Sequence, residues 1–472
     1  MILSRRRLLC SAAGILVPPW PGIASASLAS EKLVRLVAAP AEVSLVGRDG
    51  PPTRAWAYGG TVPGPTLRYR QGDRARIALD NRLTQPTSIH WHGLRVPNAM
   101  DGVPDLTQPP VGPGESFVYE FDLQDAGTYW YHPHANSAEQ VGRGLAGAFI
   151  VEERDPPAVD RDLVWILGDW RLDGGAQIVA DFGNPHDLAH AGRIGNTVTL
   201  NGRVPDDFEA RAGERLRLRL INVANARIFG LRFDGHRPYV IARDGQPIDP
   251  FAPREARVVL GPGERADLVL DCQAEPGERF SVVDDFYPRQ AYRFVDLVYG
   301  KSPPIRRTAP AAPTRLADNP WPRPEARRAA RVEVRIEGGM MGNLRIARLD
   351  GRELDARALF QQNKMWALNG EVAGNRHHPS PFLSLGRGES AVLALANDTA
   401  WHHPMHLHGM FFEVLHENGA PPPRREFRDT YTLAPRSRAE VAFCAEAPGD
   451  WMFHCHVLEH QDAGLMGIIR VV

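Results

Sequence analysis

The stretch from Gly72 to Gly93 reappears without a gap between Gly388 and Gly409. Gly72-Asp73, Asn81 and His90-Trp91-His92-Gly93 lie over Gly388-Glu389, Asn397 and His406-Leu407-His408-Gly409. A second run behaves the same way: Pro113, Ser116, Phe121, Gly127-Thr128-Tyr129 and His132-Pro133-His134 lie over Pro435, Arg438, Phe443, Gly449-Asp450-Trp451 and His454-Cys455-His456. A fainter copy sits between them, with Gly213-Glu214, Asn222, Leu231-Arg232-Phe233, Pro262-Gly263-Glu264 and Pro276-Gly277. Self-similarity of this kind means that one supersecondary unit is used repeatedly. Alternating stretches such as 74–79, 215–220 and 391–395 are bounded by turn residues, and 44 Gly with 41 Pro suit a turn-rich sandwich. The expectation is an all-β chain of three consecutive modules, 27–154, 155–302 and 331–472. A solvated linker, 303–330, precedes the third.

The copies differ in the residues that carry chemistry. In an extended strand, side chains at i and i+2 share a face and the one between projects to the other. Each His-x-His therefore aims two imidazoles at one metal cluster. In the last pair, Cys455 faces the opposite side, where it can bind a different metal one residue away through the backbone: an electron wire. Where the third copy has His403, Cys455 and His460, the first has Thr87, Pro133 and Ala138. The first copy thus cannot build the cysteine-centred site. The middle copy has Leu231 and Phe233 at its His-x-His positions and is expected to bind no metal. Neither outer copy has enough ligands alone, so their histidines must meet at an interface between the two ends of the chain.

Ser4-Arg5-Arg6-Arg7-Leu8-Leu9, a short apolar run to Val17 and Ala24-Ser25-Ala26 read as an export signal over 1–26, resembling the twin-arginine type. The apolar run is too short to span a bilayer, as is every later one. A periplasmic or secreted protein is expected, beginning near Ser27. The formal net charge of −1 gives no argument for nucleic acid. Cys10 leaves with the signal, and Cys272 and Cys444 are either a disulfide or two buried thiols.

His90-Trp91-His92-Gly93, His132-Pro133-His134, His403-Pro404-Met405-His406-Leu407-His408-Gly409 and His454-Cys455-His456-Val457-Leu458-Glu459-His460 together resemble the four copper-binding motifs of three-domain multicopper oxidases. That laccase-like family is built from cupredoxin domains, which are Greek-key β-sandwiches. The resemblance covers essentially the whole mature chain. It implies four copper ions per chain. His403, Cys455 and His460 would hold a type 1 copper; a thiolate with two imidazoles suits blue copper in electron transfer. His90 and His406 would hold type 2 copper. His92, His132 and His456 would hold one type 3 copper, and His134, His408 and His454 the other. Cys455 would pass electrons through His454 and His456 to this cluster, where dioxygen is reduced to water. Asp101 matches the carboxylate beside the cluster in bacterial members.

Two positions depart from the family pattern. The axial position beside the type 1 site is Leu465, which raises the expected potential, unless a one-residue shift brings in Met466. The usual relay carboxylate after the last histidine is Gln461, leaving Asp462, Glu459 or water to move protons. The remaining histidines (His186, His190, His236, His377, His378, His402 and His416) read as surface residues. Few methionines over the donor site, Met340, Met341 and Met365, favour a small organic donor such as a phenol or aromatic amine. A cuprous or other metallo-oxidase is the alternative reading, and a copper-free exported scaffold of the same fold a remote one. Dioxygen and a small reductant are the expected partners of a monomer.

Overall fold

The computed structural model describes residues 33–47, 49–308, 310–374 and 378–472. The segment 1–26 expected to be an export signal, with Cys10, and His377 lie outside the described residues. What is described is three β-sandwiches in chain order, built on one topology. Each opens with a parallel pair: Val34–Val43 beside Arg74–Asn81, Arg161–Trp170 beside Arg215–Asn222, and Ala330–Gly338 beside Ser390–Asn397. In each, the second of these strands then pairs antiparallel with a later one: Ser116–Asp122, Arg265–Asp271 or Arg438–Cys444. The expected strands at 74–79, 215–220 and 391–395 are thus central ones. Their alternation places Ile77, Leu218 and Leu393 in the cores.

The facing sheets carry the motifs. In the first module, His90–His92 pairs with Gly127–His132 in the register His90 to His132. In the third, His403–Leu407 pairs with Gly449–Cys455 in the matching register, His406 to His454. The sequence repeat is therefore a structural repeat down to the cross-strand neighbour. Four short helices occur among the described residues: α1 (Ser137–Gly142), α2 (Pro185–Ala189), α3 (Ala356–Phe360) and α4 (Leu458–Asp462). α1 and α4 each follow the last motif of their copy.

Buried apolar side chains of the first and third modules form one continuous cluster, whereas the middle module keeps a core of its own. Ala138 and Val141 of α1 pack on Leu458 of α4. Asn225 of the middle module stitches this seam: its side-chain amide donates to Ala138 O at 2.7 Å and to Glu459 Oε1 at 2.8 Å, and its backbone carbonyl accepts from Leu458 N at 3.1 Å. Between the first and middle modules, buried Arg217 bridges Glu153 and Asp267, both at 2.6 Å. Removing one partner of such a buried pair costs about 3–5 kcal/mol.

Residues 338–365 are ordered by the hairpin Ile346–Leu349 with Arg352–Asp355, followed by α3. Cys272, Cys444 and Cys455 are free thiols, so the disulfide alternative falls. Among the described residues no helix is long and apolar enough to cross a membrane.

Candidate metal centre

The two outer modules bring eight imidazoles to one buried place. His90, His92, His132, His134, His406, His408, His454 and His456 are all nearly or wholly inaccessible. Their ring nitrogens fall into close sets: His90, His92 and His406; His92, His132 and His456; His134, His408 and His454. Within each set the atoms lie within 4.8 Å of one another. His90 Nε2 and His406 Nε2, 316 positions apart in the chain, are 3.4 Å apart. His408 Nε2 and His454 Nε2 are 3.0 Å apart.

Which nitrogen faces inward is decided by what the protein offers the other one. His90 Nδ1 donates to Asp101 O at 2.9 Å, His132 Nδ1 to Pro133 O at 3.1 Å and His406 Nδ1 to Asp429 O at 2.9 Å. His454 Nδ1 donates to Cys455 O at 2.8 Å, and His408 Nδ1 to Asp101 Oδ2 at 2.8 Å. These rings therefore present Nε2. His92 is reversed: its Nε2 lies 3.1 Å from both Asp429 Oδ1 and Thr430 Oγ1, so Nδ1 points inward. An outward N–H held by a carbonyl or carboxylate fixes tautomer and ring orientation at metal sites.

The inward nitrogens test the fit. Buried polar atoms in folded proteins are almost always paired. Yet His92 Nδ1, His132 Nε2, His134 Nε2 and both nitrogens of His456 have no hydrogen-bond partner. Burial, reinforced by the neighbouring rings, pushes His92, His132, His134, His408, His454 and His456 well below the usual histidine range. They are held neutral, the form that binds metal. Converging bare lone pairs in a buried, imidazole-lined site fit copper ions.

Asp101 is delivered by a tight turn. Gly102 has φ +85°, and a Cβ there would sit 1.8 Å from Ile89 O, so only glycine lets the turn close. The carboxylate is buried, with Oδ1 3.3 Å from His90 Nδ1.

On the other face of the strand, Cys455 meets His403 and His460. Sγ is 3.4 Å from His403 Nδ1 and 3.7 Å from His460 Nδ1, and those nitrogens are 3.2 Å apart. His403 Nε2 donates to Thr399 Oγ1 at 2.8 Å, and His460 Nε2 to the His190 carbonyl at 2.7 Å. Val457 N donates to Sγ at 3.4 Å, ready to stabilise a thiolate. Trp366 packs on both rings, 4.3 Å from His460 and 4.9 Å from His403 between centroids. Leu465 is buried in the same apolar cluster as Cys455. Met466 pairs across the sheet with His454 and lines a cavity of about 620 Å³ that reaches His134, Gln461, Asp462 and Lys364.

Glu459 is committed elsewhere, accepting from Arg193 N at 3.0 Å as well as from Asn225, and burial pushes it up to about 7. Of the residues without a sequence signal, Asp429, Thr430, Thr399 and Trp366 all touch ligands. His190, read as a surface residue, supplies a carbonyl to the thiol site.

The multicopper oxidase family models match residues 41–156, 161–296 and 353–472. The chain is 36% identical to a multi-copper oxidase from Pseudomonas thermotolerans of known crystal structure. That match has a TM-score of 0.82 and covers 93% of this chain and 99% of that one. It is 29% identical to multicopper oxidase MmcO of Mycobacterium tuberculosis, over 90% of this chain and 84% of that one. It is 26% identical to copper resistance protein A of Escherichia coli, over 89% and 90%.

Proposed function

This chain belongs to the multicopper oxidase family, and we propose that within it the protein is a laccase-like oxidase. In this reading it oxidises small phenols or aromatic amines one electron at a time and reduces dioxygen to water. The carrying observation is the pairing of two sites through one residue: eight buried converging rings, four of which have unpartnered inward nitrogens, and a Cys455 trio on the opposite face of the same strand. His403, Cys455 and His460 would hold type 1 copper, and His90 with His406 type 2. His92, His132 and His456 would hold one type 3 ion, and His134, His408 and His454 the other. Four bound copper ions would supply four one-electron carriers, matching the four electrons that dioxygen needs to become two waters.

The residues do the rest. Cys455 offers two routes to the cluster: along the backbone to His454 and His456, and through its carbonyl, which accepts from the His454 ring at 2.8 Å. Asp101 orients His408 and keeps a carboxylate at the cluster for proton delivery. Gln461 cannot ionise, and the cavity wall offers Asp462, Glu139 and Asp105 instead. Leu465 leaves the type 1 site without a thioether and so keeps its potential high. The three modules follow the boundaries 27–154, 155–302 and 331–472, and the chain is exported through 1–26 by a twin-arginine-type signal.

One observation favours the metallo-oxidase reading. At the end of α2, the ring of His186 stacks 4.1 Å from that of His190, the next residue after the helix, whose carbonyl accepts from His460. Met340, 48% exposed, sits alongside, its N donating to Ala189 O, and Met341, 65% exposed, follows it in the chain. Thioethers and imidazoles suit cuprous ions. Oxygen uptake by the copper-loaded protein on a dimethoxyphenol, an aromatic amine, Cu(I) and Fe(II) separates the two. The laccase reading expects uptake with the organic donors; uptake with Cu(I) alone overturns it. About four coppers per chain and a blue band are expected in the same preparation.

A further inference from the structure

The middle module has no ligand, yet one of its turns closes over the cluster. Gly261 lies so near Thr432 that a Cβ would be 2.1 Å from its hydroxyl, and Gly263 packs on the His456 ring. Glu264 Oε1 accepts from Thr432 N at 3.1 Å and from its hydroxyl at 3.0 Å. Arg265, wholly buried, then reaches both outer modules: Nε donates to Thr128 O at 3.2 Å. Nη1 and Nη2 donate to the two Asp429 oxygens at 2.7 and 2.5 Å. Asp429 Oδ1 is the same atom that accepts from His92 Nε2, and the Asp429 backbone carbonyl accepts from His406 Nδ1.

We propose that Arg265 and Asp429 are positioning residues of the copper cluster: the guanidinium of the ligand-free module locks the carboxylate that decides which nitrogen His92 presents. The inference rests on the copper cluster of the proposed function. A two-pronged guanidinium–carboxylate pair fixes both oxygens in one plane. Asp429 Oδ1 therefore has one place to be, and it meets Nε2 of His92, leaving Nδ1 for the metal. Without the carboxylate, Nε2 keeps only the Thr430 hydroxyl at 3.1 Å, which itself donates to Asp429 Oδ1 at 2.7 Å and loses that anchor with it, so the imidazole can turn over and offer Nε2 from a different point in space. His406 shares the constraint, because its acceptor is the backbone of the same residue. Arg265 also touches the first and third modules at once, so the module that binds nothing sets the geometry between the two that do.

The test compares the parent with the double variant Arg265→Met, Asp429→Leu, which removes the pair together and strands no buried charge. Metal-free protein is loaded against a competing chelator while copper is counted, the visible band recorded and the paramagnetic resonance of the cluster's isolated Cu(II) measured. Cluster affinity is expected to fall about 10–100-fold, with an altered hyperfine splitting, while the Cys455 site fills as in the parent with the same blue band. Parental cluster affinity and splitting, or equal weakening of both sites, overturns the proposal. Arg265→Lys keeps the charge but not the fork. It should show the altered splitting with a smaller loss of affinity, and it decides the question if the double variant does not fold; a parental splitting there overturns the proposal. Failure of the copper reading itself would show differently, as a parent with no blue band.

Discussion

Gly263→Ala tests how the cluster is held by packing alone. His456 is the ligand candidate with neither ring nitrogen hydrogen-bonded, so only its neighbours orient it. Gly263 has φ +82°, and an added Cβ would lie 2.8 Å from His456 Cδ2, 2.9 Å from Cγ and 3.1 Å from Nε2. Carbon contacts settle near 3.5 Å or beyond, so the ring must retreat by 3.5 − 2.8, about 0.7 Å. The left-handed backbone costs alanine about 1–2 kcal/mol, and the overpacking about 1–3 kcal/mol more. The ring yields readily because no outer hydrogen bond restrains it, and a displacement of this size costs about ten- to a hundredfold in rate. The assay is rapid mixing: a donor bleaches the blue band, and oxygen then restores it. Bleaching should proceed as in the parent, because the Cys455 trio lies on the far face of the strand. Recovery should slow by that factor. Parental recovery in a variant that merely melts earlier would refute the argument, leaving Gly263 a purely structural residue.

Cys455→Ser should abolish the blue band while the eight-histidine cluster still fills; loss of all copper would show that the two sites are not separate. Leu465→Met should lower the potential of the blue site in a redox titration, and an unchanged value would mean that position 465 does not face the metal. Asp101→Asn should cost about 10–100-fold in oxygen turnover, since it removes the charged acceptor of His408 Nδ1; parental turnover would remove Asp101 from the proton path. Burial pushes Lys364 down from 10.5 to about 8, against the opposing pull of Asp462 and Asp350. Between those values the unfolded chain holds the proton that the folded one has released, so stability should rise with pH, by up to about 3 kcal/mol. Denaturant unfolding of metal-free protein should show Lys364→Met lacking that rise, and parallel curves would contradict it.

The fold was legible because the period-two alternation at 74–79, 215–220 and 391–395 matches central strands, and because the gapless repeat left little freedom of topology. The eleven ligand candidates were legible for a related reason: a strand fixes the direction of i and i+2, so His-Cys-His announces two faces without any tertiary knowledge. What escaped was everything contributed from outside the repeat. Arg265 and Asp429 are ordinary residues in the sequence, 164 positions apart, and acquire meaning only where three modules meet. Leu231 and Phe233 mark the middle copy as lacking the His-x-His ligands, but that pattern says nothing of the support its Gly263 and Arg265 give the cluster. His190 acts through its backbone carbonyl, which no side-chain pattern reports. Trp366 reads as one more strand aromatic until its ring is seen against His403 and His460.

Asn225 makes three hydrogen bonds, to one helix from each outer module, and thereby joins pieces of chain synthesised far apart in time. The first module can fold early, but its four rings then line half a basin. Metal capture has to wait until the closing motifs have arrived and docked. An ion bound before that moment would be held by two or three imidazoles in the wrong company. The seam thus ties assembly of the basin to docking of the two ends, and a chain that stalls partway lacks half of the imidazoles.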